Sequence, residues 1–409
     1  MLLRPPVVVR FFGAAASSAR AGPSRSYRSA HLFHATSTTR KPLTILALES
    51  SADDSCCAIV DSERKIHANV VLKQHHINAT QGGINPIRAQ EAHERNVPLA
   101  IRQALKTANM TIGDIDAVAY TRGPGMYGCL CISASAARGI AAANDKPLVG
   151  VHHMQAHALT PLLTEEKPPE FPFLVLLVSG GHTQLYWVSL VRVFIQQADS
   201  SDATDKIGRA LQLPDGDRGL GAALEKMAAK PPLPPFDMQP VPPMPLPMQR
   251  QKDTLAFSFA GVLSAVERKI AELGDPAVYD EARARELSRV WQELAFGHLG
   301  NMIGRYLDSD VAKADGDPVK GLVISGGVGS NLQLRKTLAD LLAPRGIEVA
   351  YPPVALCTDN AAMIAWTAIL RLQNGLRGEE PTLDIRRKWS LEDLYNDVPP
   401  EAYETVEKE

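Results

Sequence analysis

Two apolar runs that end in the same Ser-Gly-Gly turn constrain this chain more than any other feature: Leu176-Leu177-Val178-Ser179-Gly180-Gly181-His182-Thr183 and Leu322-Val323-Ile324-Ser325-Gly326-Gly327-Val328-Gly329. Each reads as a buried strand whose glycines let the backbone turn tightly and approach a ligand, with exposed N–H groups able to hold phosphate oxygens. Two such turns predict two similar lobes facing one nucleotide. Strand-like runs alternate with helical periodicity along most of the chain, which predicts an α/β fold.

The first round opens with Leu43-Thr44-Ile45-Leu46-Ala47-Leu48 and Cys57-Ala58-Ile59-Val60, a hairpin with Glu49, Asp53 and Asp54 at its turn. Strands follow at Ala117 to Tyr120 and Leu148 to Val151, around a helix from about Cys129 to Ala143 that the flexible Gly123-Pro124-Gly125 segment precedes. A second round begins at Phe173. It has strands to Val178 and from Thr183 to Ser189, helices near Ala203 to Leu211 and Gly221 to Ala229, and a strand at Leu322. Leu287, Trp291, Leu294, Ala295, Leu299, Met302, Ile303 and Tyr306 recur at helical spacing and mark a long helix whose apolar stripe is core. Nine prolines between Pro231 and Pro247 exclude regular structure there. A last helix spans Asn360 to Arg371.

Composition sets the first forty residues apart: six arginines, many Ala and Ser, and no acidic residue before Glu49. That pattern predicts a mitochondrial transit peptide, removed on import to the matrix. Its loss leaves 37 basic against 45 acidic residues, a net charge of about −8. Any RNA contact must therefore come from a local patch, with Arg250 and Lys252, or Arg386-Arg387-Lys388, as candidates. The five cysteines are odd in number and lack zinc-ribbon spacing, so they predict no disulfide framework, and Cys129 and Cys131 read as helix packing. No apolar stretch reaches the roughly 18 to 20 residues that span a bilayer, so no membrane span is expected.

His153 and His157 stand four apart in Gly150-Val151-His152-His153-Met154-Gln155-Ala156-His157. On a helix they share a face and can offer two imidazoles to one metal, with a carboxylate such as Asp359 of Cys357-Thr358-Asp359-Asn360 brought in by the fold. Alone, such a pair is equally compatible with a polar helix face. The metallopeptidase pattern needs a Glu directly after the first His as general base, and Met154 stands there. Two His and one carboxylate suit Zn²⁺ or Fe²⁺ equally.

The hairpin Leu46 to Ser55, the Gly123-Pro124-Gly125 turn, the His153/His157 pair, Val178 to Thr183, Asp205-Lys206, Phe257-Ser258-Phe259, Ser325 to Val328 with Asn331, and Cys357 to Asn360 occur in one order. In that order the chain resembles the tRNA threonylcarbamoyladenosine transferases of the TsaD type, in their mitochondrial branch. The resemblance implies an actin-like, sugar kinase and Hsp70-like ATPase fold: two RNase H-like lobes, about 41–170 and 171–375, with a Pro-rich insertion at 231–249 and a charged, peripheral tail at 376–409. It also implies transfer of the threonylcarbamoyl group from threonylcarbamoyl-AMP to N6 of adenosine 37 in tRNAs reading ANN codons, by a homodimer with one divalent ion per subunit. By motif, His153, His157 and Asp359 correspond to the metal ligands, and Leu177, Val178, Ser179, Gly180, Gly181, Asp205, Gly221, Glu225 and Asn331 to the adenylate-binding positions. Asp53 is the candidate for orienting or deprotonating the attacking amine, with a plain Asx-turn as the alternative role.

The chain departs from the family in two places. Gly82-Gly83-Ile84-Asn85-Pro86-Ile87 lacks the Glu that usually precedes a His, here His93, and Asp199 to Lys206 is a shortened form of its motif. Rival readings are a kinase or ATPase of the same fold, whose Mg²⁺ is held mainly by carboxylates and water, a metallopeptidase, and a chaperone-like nucleotide-dependent module.

Overall fold

The computed structural model describes residues 8–11, 41–74, 84–178, 183–188, 192–198, 203–214, 219–231, 257–272, 281–309, 318–376, 378–391 and 394. A short strand, β1 (Val8–Phe11), precedes the first lobe. That lobe contains β2 (Thr44–Glu49), β3 (Ser55–Asp61), β4 (Ile66–Leu72), α1 (Pro86–Ala108), β5 (Ala117–Gly123), α2 (Tyr127–Ala143), β6 (Leu148–His152) and α3 (His153–Thr164). The second lobe contains β7 (Phe173–Val178), β8 (Thr183–Val188), β9 (Arg192–Ala198), α4 (Ala203–Ala210), α5 (Gly219–Ala229), α6 (Ala260–Glu272) and α7 (Glu281–Asp308). It continues through β10 (Gly321–Ser325), α8 (Leu332–Leu342), β11 (Glu348–Ala350) and the single turn α9 (Val354–Cys357), and α10 (Ala361–Gln373) follows.

The two sheets share one plan. The first has order β4-β3-β2-β5-β6 and the second β9-β8-β7-β10-β11, with β1 added parallel to β9 at its edge. In each, an antiparallel three-strand meander is extended by two parallel strands. This is the expected two-lobed α/β architecture, but the two glycine-bearing segments do not mark one lobe each. β7 and β10 are parallel neighbours, with Leu176 opposite Ile324, so the strands that precede both Ser-Gly-Gly segments lie in the same sheet. The duplication lies in strand order instead.

Strand alternation explains the layers. Ile45 and Ala47 face a core with Ala361, Ile364 and Ile369 of α10, whereas Leu46 and Leu48 face one with Val97, Ala100 and Ala137 of α1 and α2. In the second lobe Leu174 and Leu176 face the stripe of α7, from Leu287 to Tyr306, which is core as its periodicity predicts. Phe173, Val175 and Leu177 face Met154 and Ala158 of α3. Since Ala156 and Leu163 of α3 belong to the first lobe's core, α3 is packed between the two sheets. A helix buried on nearly every side carries no amphipathic signal.

Two boundaries differ from the sequence reading. The expected second lobe, 171–375, includes α10, but α10 is almost wholly apolar and returns to cover the first lobe's sheet. The tail after Gly378 was expected to be peripheral. Its described part is built into the first lobe: Glu379 is buried, pairs with Arg371 at 2.7 Å and accepts from Gly150 N at 2.9 Å. The Pro-rich insertion, apart from Pro231, lies outside the described residues, as do Arg250 and Lys252. All five cysteines are free, with Cys129 buried and Cys131 half-buried on α2. No helix among the described residues is long and apolar enough to cross a membrane.

Candidate metal centre and ligand cleft

The chain passes from β6 into α3 at His152, and the local chemistry of that residue sets up the site. His152 is the N-cap: its Nδ1 accepts from Met154 N at 3.1 Å and Gln155 N at 3.4 Å, and its Nε2 donates to Trp389 O at 3.1 Å. Those roles require a neutral ring, and burial pushes its pKa down to about 3. The helix that starts here places His153 and His157 one turn apart, with ring centroids 4.7 Å from each other and nearly perpendicular.

Asp359 reaches them from 202 residues beyond His157 in sequence. Asn360 fixes its loop by donating to Thr358 O at 2.8 Å and capping α10 through Met363 N. Asp359 Oδ1 lies 3.4 Å from His153 Nε2 and 3.1 Å from His157 Nε2. The three ligand atoms fall within 4.8 Å of one another, the only such group of three among the described residues. Both imidazoles present Nε2 to one point, and a carboxylate oxygen completes the set. This donor set fits a divalent transition ion with positions left open for substrate.

A second carboxylate lies behind the first. Glu49, fully buried at the end of β2, faces His153 Nδ1 at 3.2 Å, accepts from Ser51 N at 2.5 Å and accepts from Thr121 Oγ1. Burial alone would raise the Glu49 carboxyl and lower His153. The mutual attraction outweighs both, so Glu49 is held low and His153 rises to about 10, with Asp359 adding to its rise. Asp359 is pulled far below the carboxylate range by the two histidines, against its own burial, whereas burial lowers His157. Without metal, a proton on His153 is the positive charge between two carboxylates. A divalent cation at the Nε2 atoms meets the same electrostatic demand.

The turn 50–54 completes this side. Ser51 Oγ lies 3.3 Å from His153 Nδ1, and Ser51 O accepts from Met126 N at 2.9 Å. Asp53 is half-buried on this turn. Its neighbour Asp54 is buried, with its pKa raised to about 7, first by burial and then by Asp53 and Asp359. His93 bonds Ser55 Oγ at 2.7 Å and Ala52 O at 3.0 Å, which makes it a brace for the turn. Its helix begins with Asn85 as N-cap and Pro86 in the first turn.

The second-lobe candidates form a separate group. A Cβ on Gly221 would lie 4.0 Å from Asp205 Oδ1, so α4 and α5 meet there. Glu225 Oε1 accepts from Leu332 N at 2.9 Å, and Asn331 caps α8 through Gln333 N and Leu334 N, which ties α5 to the start of α8. Leu177 and Val178 end β7. A Cβ on Gly326, at φ +92°, would fall 2.3 Å from Val178 O, so only glycine allows this approach. Ser179, Gly180 and Gly181 lie outside the described residues. The residues that sequence reasoning passed over as functional are Glu49, Ser51, Thr121 and His152. Glu49 carried one signal: a lone carboxylate closing an otherwise apolar strand.

The family model described as TsaD, tRNA N6-adenosine threonylcarbamoyltransferase, matches residues 65–366. A protein of Paraburkholderia xenovorans named tRNA N6-adenosine threonylcarbamoyltransferase is 36% identical over 359 residues, covering 86% of this chain and 99% of its own length. Among solved structures, T. kodakarensis HypF superposes with a TM-score of 0.52 at 12% identity, over 81% of this chain and 49% of its own, a likeness of fold alone. The match across most of both sequences, with the two-lobed fold, places this chain in the tRNA N6-adenosine threonylcarbamoyltransferase family, as an enzyme of that activity.

Proposed function

We propose that the enzyme transfers the threonylcarbamoyl group from threonylcarbamoyl-AMP to N6 of adenosine 37 in mitochondrial tRNAs that read ANN codons, acting in the matrix as a homodimer. The observation that carries this reading is the convergence of His153, His157 and Asp359 on one point of a two-lobed fold. A bound Zn²⁺ or Fe²⁺ would polarise the carbamoyl carbonyl and neutralise charge on the departing phosphate. The donor is a mixed anhydride: the N6 amine forms the new C–N bond, the C–O bond to phosphate breaks, and AMP leaves with that electron pair. Asp53 accepts the proton released from N6. Asp205, Gly221, Glu225 and Asn331, with the turn 177–181, hold the adenylate on the second lobe, and Asp205 accepts from ribose hydroxyls.

The Arg-rich, acid-free segment 1–40 supports matrix import, and a reporter fused to it should enter mitochondria. The reaction itself is tested by incubating the mature protein with labelled threonine, bicarbonate, ATP, an adenylate synthase and unmodified tRNA, then digesting the tRNA. Labelled threonylcarbamoyladenosine is expected, and its absence with folded, metal-loaded protein refutes the assignment.

A further inference from the structure

The tail segment 379–391 is pinned to the first lobe by contacts to its backbone that leave the Arg387 and Lys388 side chains outside. Arg386 N donates to Arg122 O at 3.0 Å, Gly125 N donates to Arg387 O at 3.2 Å, Arg122 Nε donates to Asp384 O at 2.7 Å, and Arg138 donates to Leu383 O. The guanidinium groups of Arg122 and Arg386 lie over the Trp389 ring, at 5.3 and 5.1 Å from its centroid, and the Trp389 carbonyl holds His152, the residue before the first proposed metal ligand. Gly123 and Gly125 permit the fit: a Cβ on Gly123 would sit 1.9 Å from Arg386 O, and one on Gly125 would sit 2.7 Å from Ser51 O. Arg387 is thus two backbone contacts from Ser51, whose hydroxyl touches His153.

On this rigid strip the side chains of Arg387 and Lys388 are exposed, as is the acidic Asp384 nearby. Beside it, two residues beyond Gly125, Tyr127 starts α2 with 58% of its surface exposed, one of few large apolar side chains left in solvent among the described residues. An acidic protein that must hold a polyanion needs cations at a fixed place, and an aromatic face next to them suits an unpaired base.

We propose that Arg387, Lys388 and Tyr127 form the docking surface for the substrate RNA, with the two cations on backbone phosphates and the tyrosine stacking on an unpaired base near the target adenosine. This rests on the assigned reaction and goes beyond it in naming where the RNA sits. The backbone anchors keep the strip in register with His153, so phosphates held there set the distance of the base from the metal centre.

The test uses full-length, metal-loaded protein and unmodified tRNA, with dissociation constants measured from about 50 to 200 mM salt. Replacing both Arg387→Ala and Lys388→Ala should weaken binding about tenfold and reduce the slope of log K against log salt by about 1.5 to 2. Tyr127→Ala should weaken it about fivefold or more and leave that slope unchanged, since stacking releases no counterions. In both cases the loss should appear in KM for tRNA, with metal content and thermal unfolding as in the unaltered protein. Wild-type affinity and salt slope in the double variant, while the unaltered protein binds and modifies tRNA, overturn the docking surface alone and point to a protein partner for the strip. Failure of the unaltered protein to bind tRNA overturns the docking surface and the assigned reaction together.

Discussion

Glu49 Oε2 stands 3.2 Å from His153 Nδ1, so a buried carboxylate fixes which nitrogen of that ring faces Asp359. Carboxylates in this position orient a ligating imidazole and raise its basicity. Glu49→Gln keeps the shape and removes the charge. It should lower metal affinity about 10- to 100-fold, measured by competition with a chelator, with the circular dichroism spectrum retained. Unchanged affinity would show that Glu49 only fills space.

The same contact separates the two histidines. His153→Ala strands the fully buried Glu49 without its counter-charge, which should cost about 3–5 kcal/mol of stability in metal-free protein. The ion pair of His157 is with Asp359, whose side chain is 29% exposed, so His157→Ala should cost about 1–2 kcal/mol. Both should abolish bound metal. Denaturant unfolding with elemental analysis checks the pair, and equal stability losses would contradict the role given to Glu49.

Asp54 should make stability depend on pH. Its pKa is raised from 3.8 to about 7, so the folded protein keeps a proton that the unfolded chain has released. That contribution is full below about 4 and declines as pH rises to about 7, at about 1.4 kcal/mol per unit. In metal-free protein, Asp54→Asn should therefore gain about 2 kcal/mol or more relative to wild type between pH 5 and 8. A constant difference across that range would refute the raised pKa.

Asn331 has a capping role that is distinct from any contact with the donor. Asn331→Ala should lose about 1 kcal/mol of stability, and Asn331→Ser should restore most of it. If Asn331 also holds the adenylate, both variants should bind ATP or AMP more weakly. Normal nucleotide affinity in the Ser variant would leave Asn331 as a cap only.

The sequence determined the element types and most of their chemistry. Period-two and period-3.6 patterns located the hairpin at Glu49, the strands at Ala117, Leu148, Phe173 and Leu322, and the long helix through Trp291, because burial forces apolar residues into those spacings. The i,i+4 spacing likewise put His153 and His157 on one helical face. Other features depend on approaches between residues far apart in the chain, which no local pattern encodes. Only the tertiary structure decided that the strands preceding both Ser-Gly-Gly segments lie in one sheet, that α10 crosses back to the first lobe, and that the charged tail is anchored beside the candidate metal site. It alone brought Asp359 to the histidines and placed Glu49 behind them. A carboxylate's role is set by what faces it once water is excluded, and that is fixed only when the strands have paired.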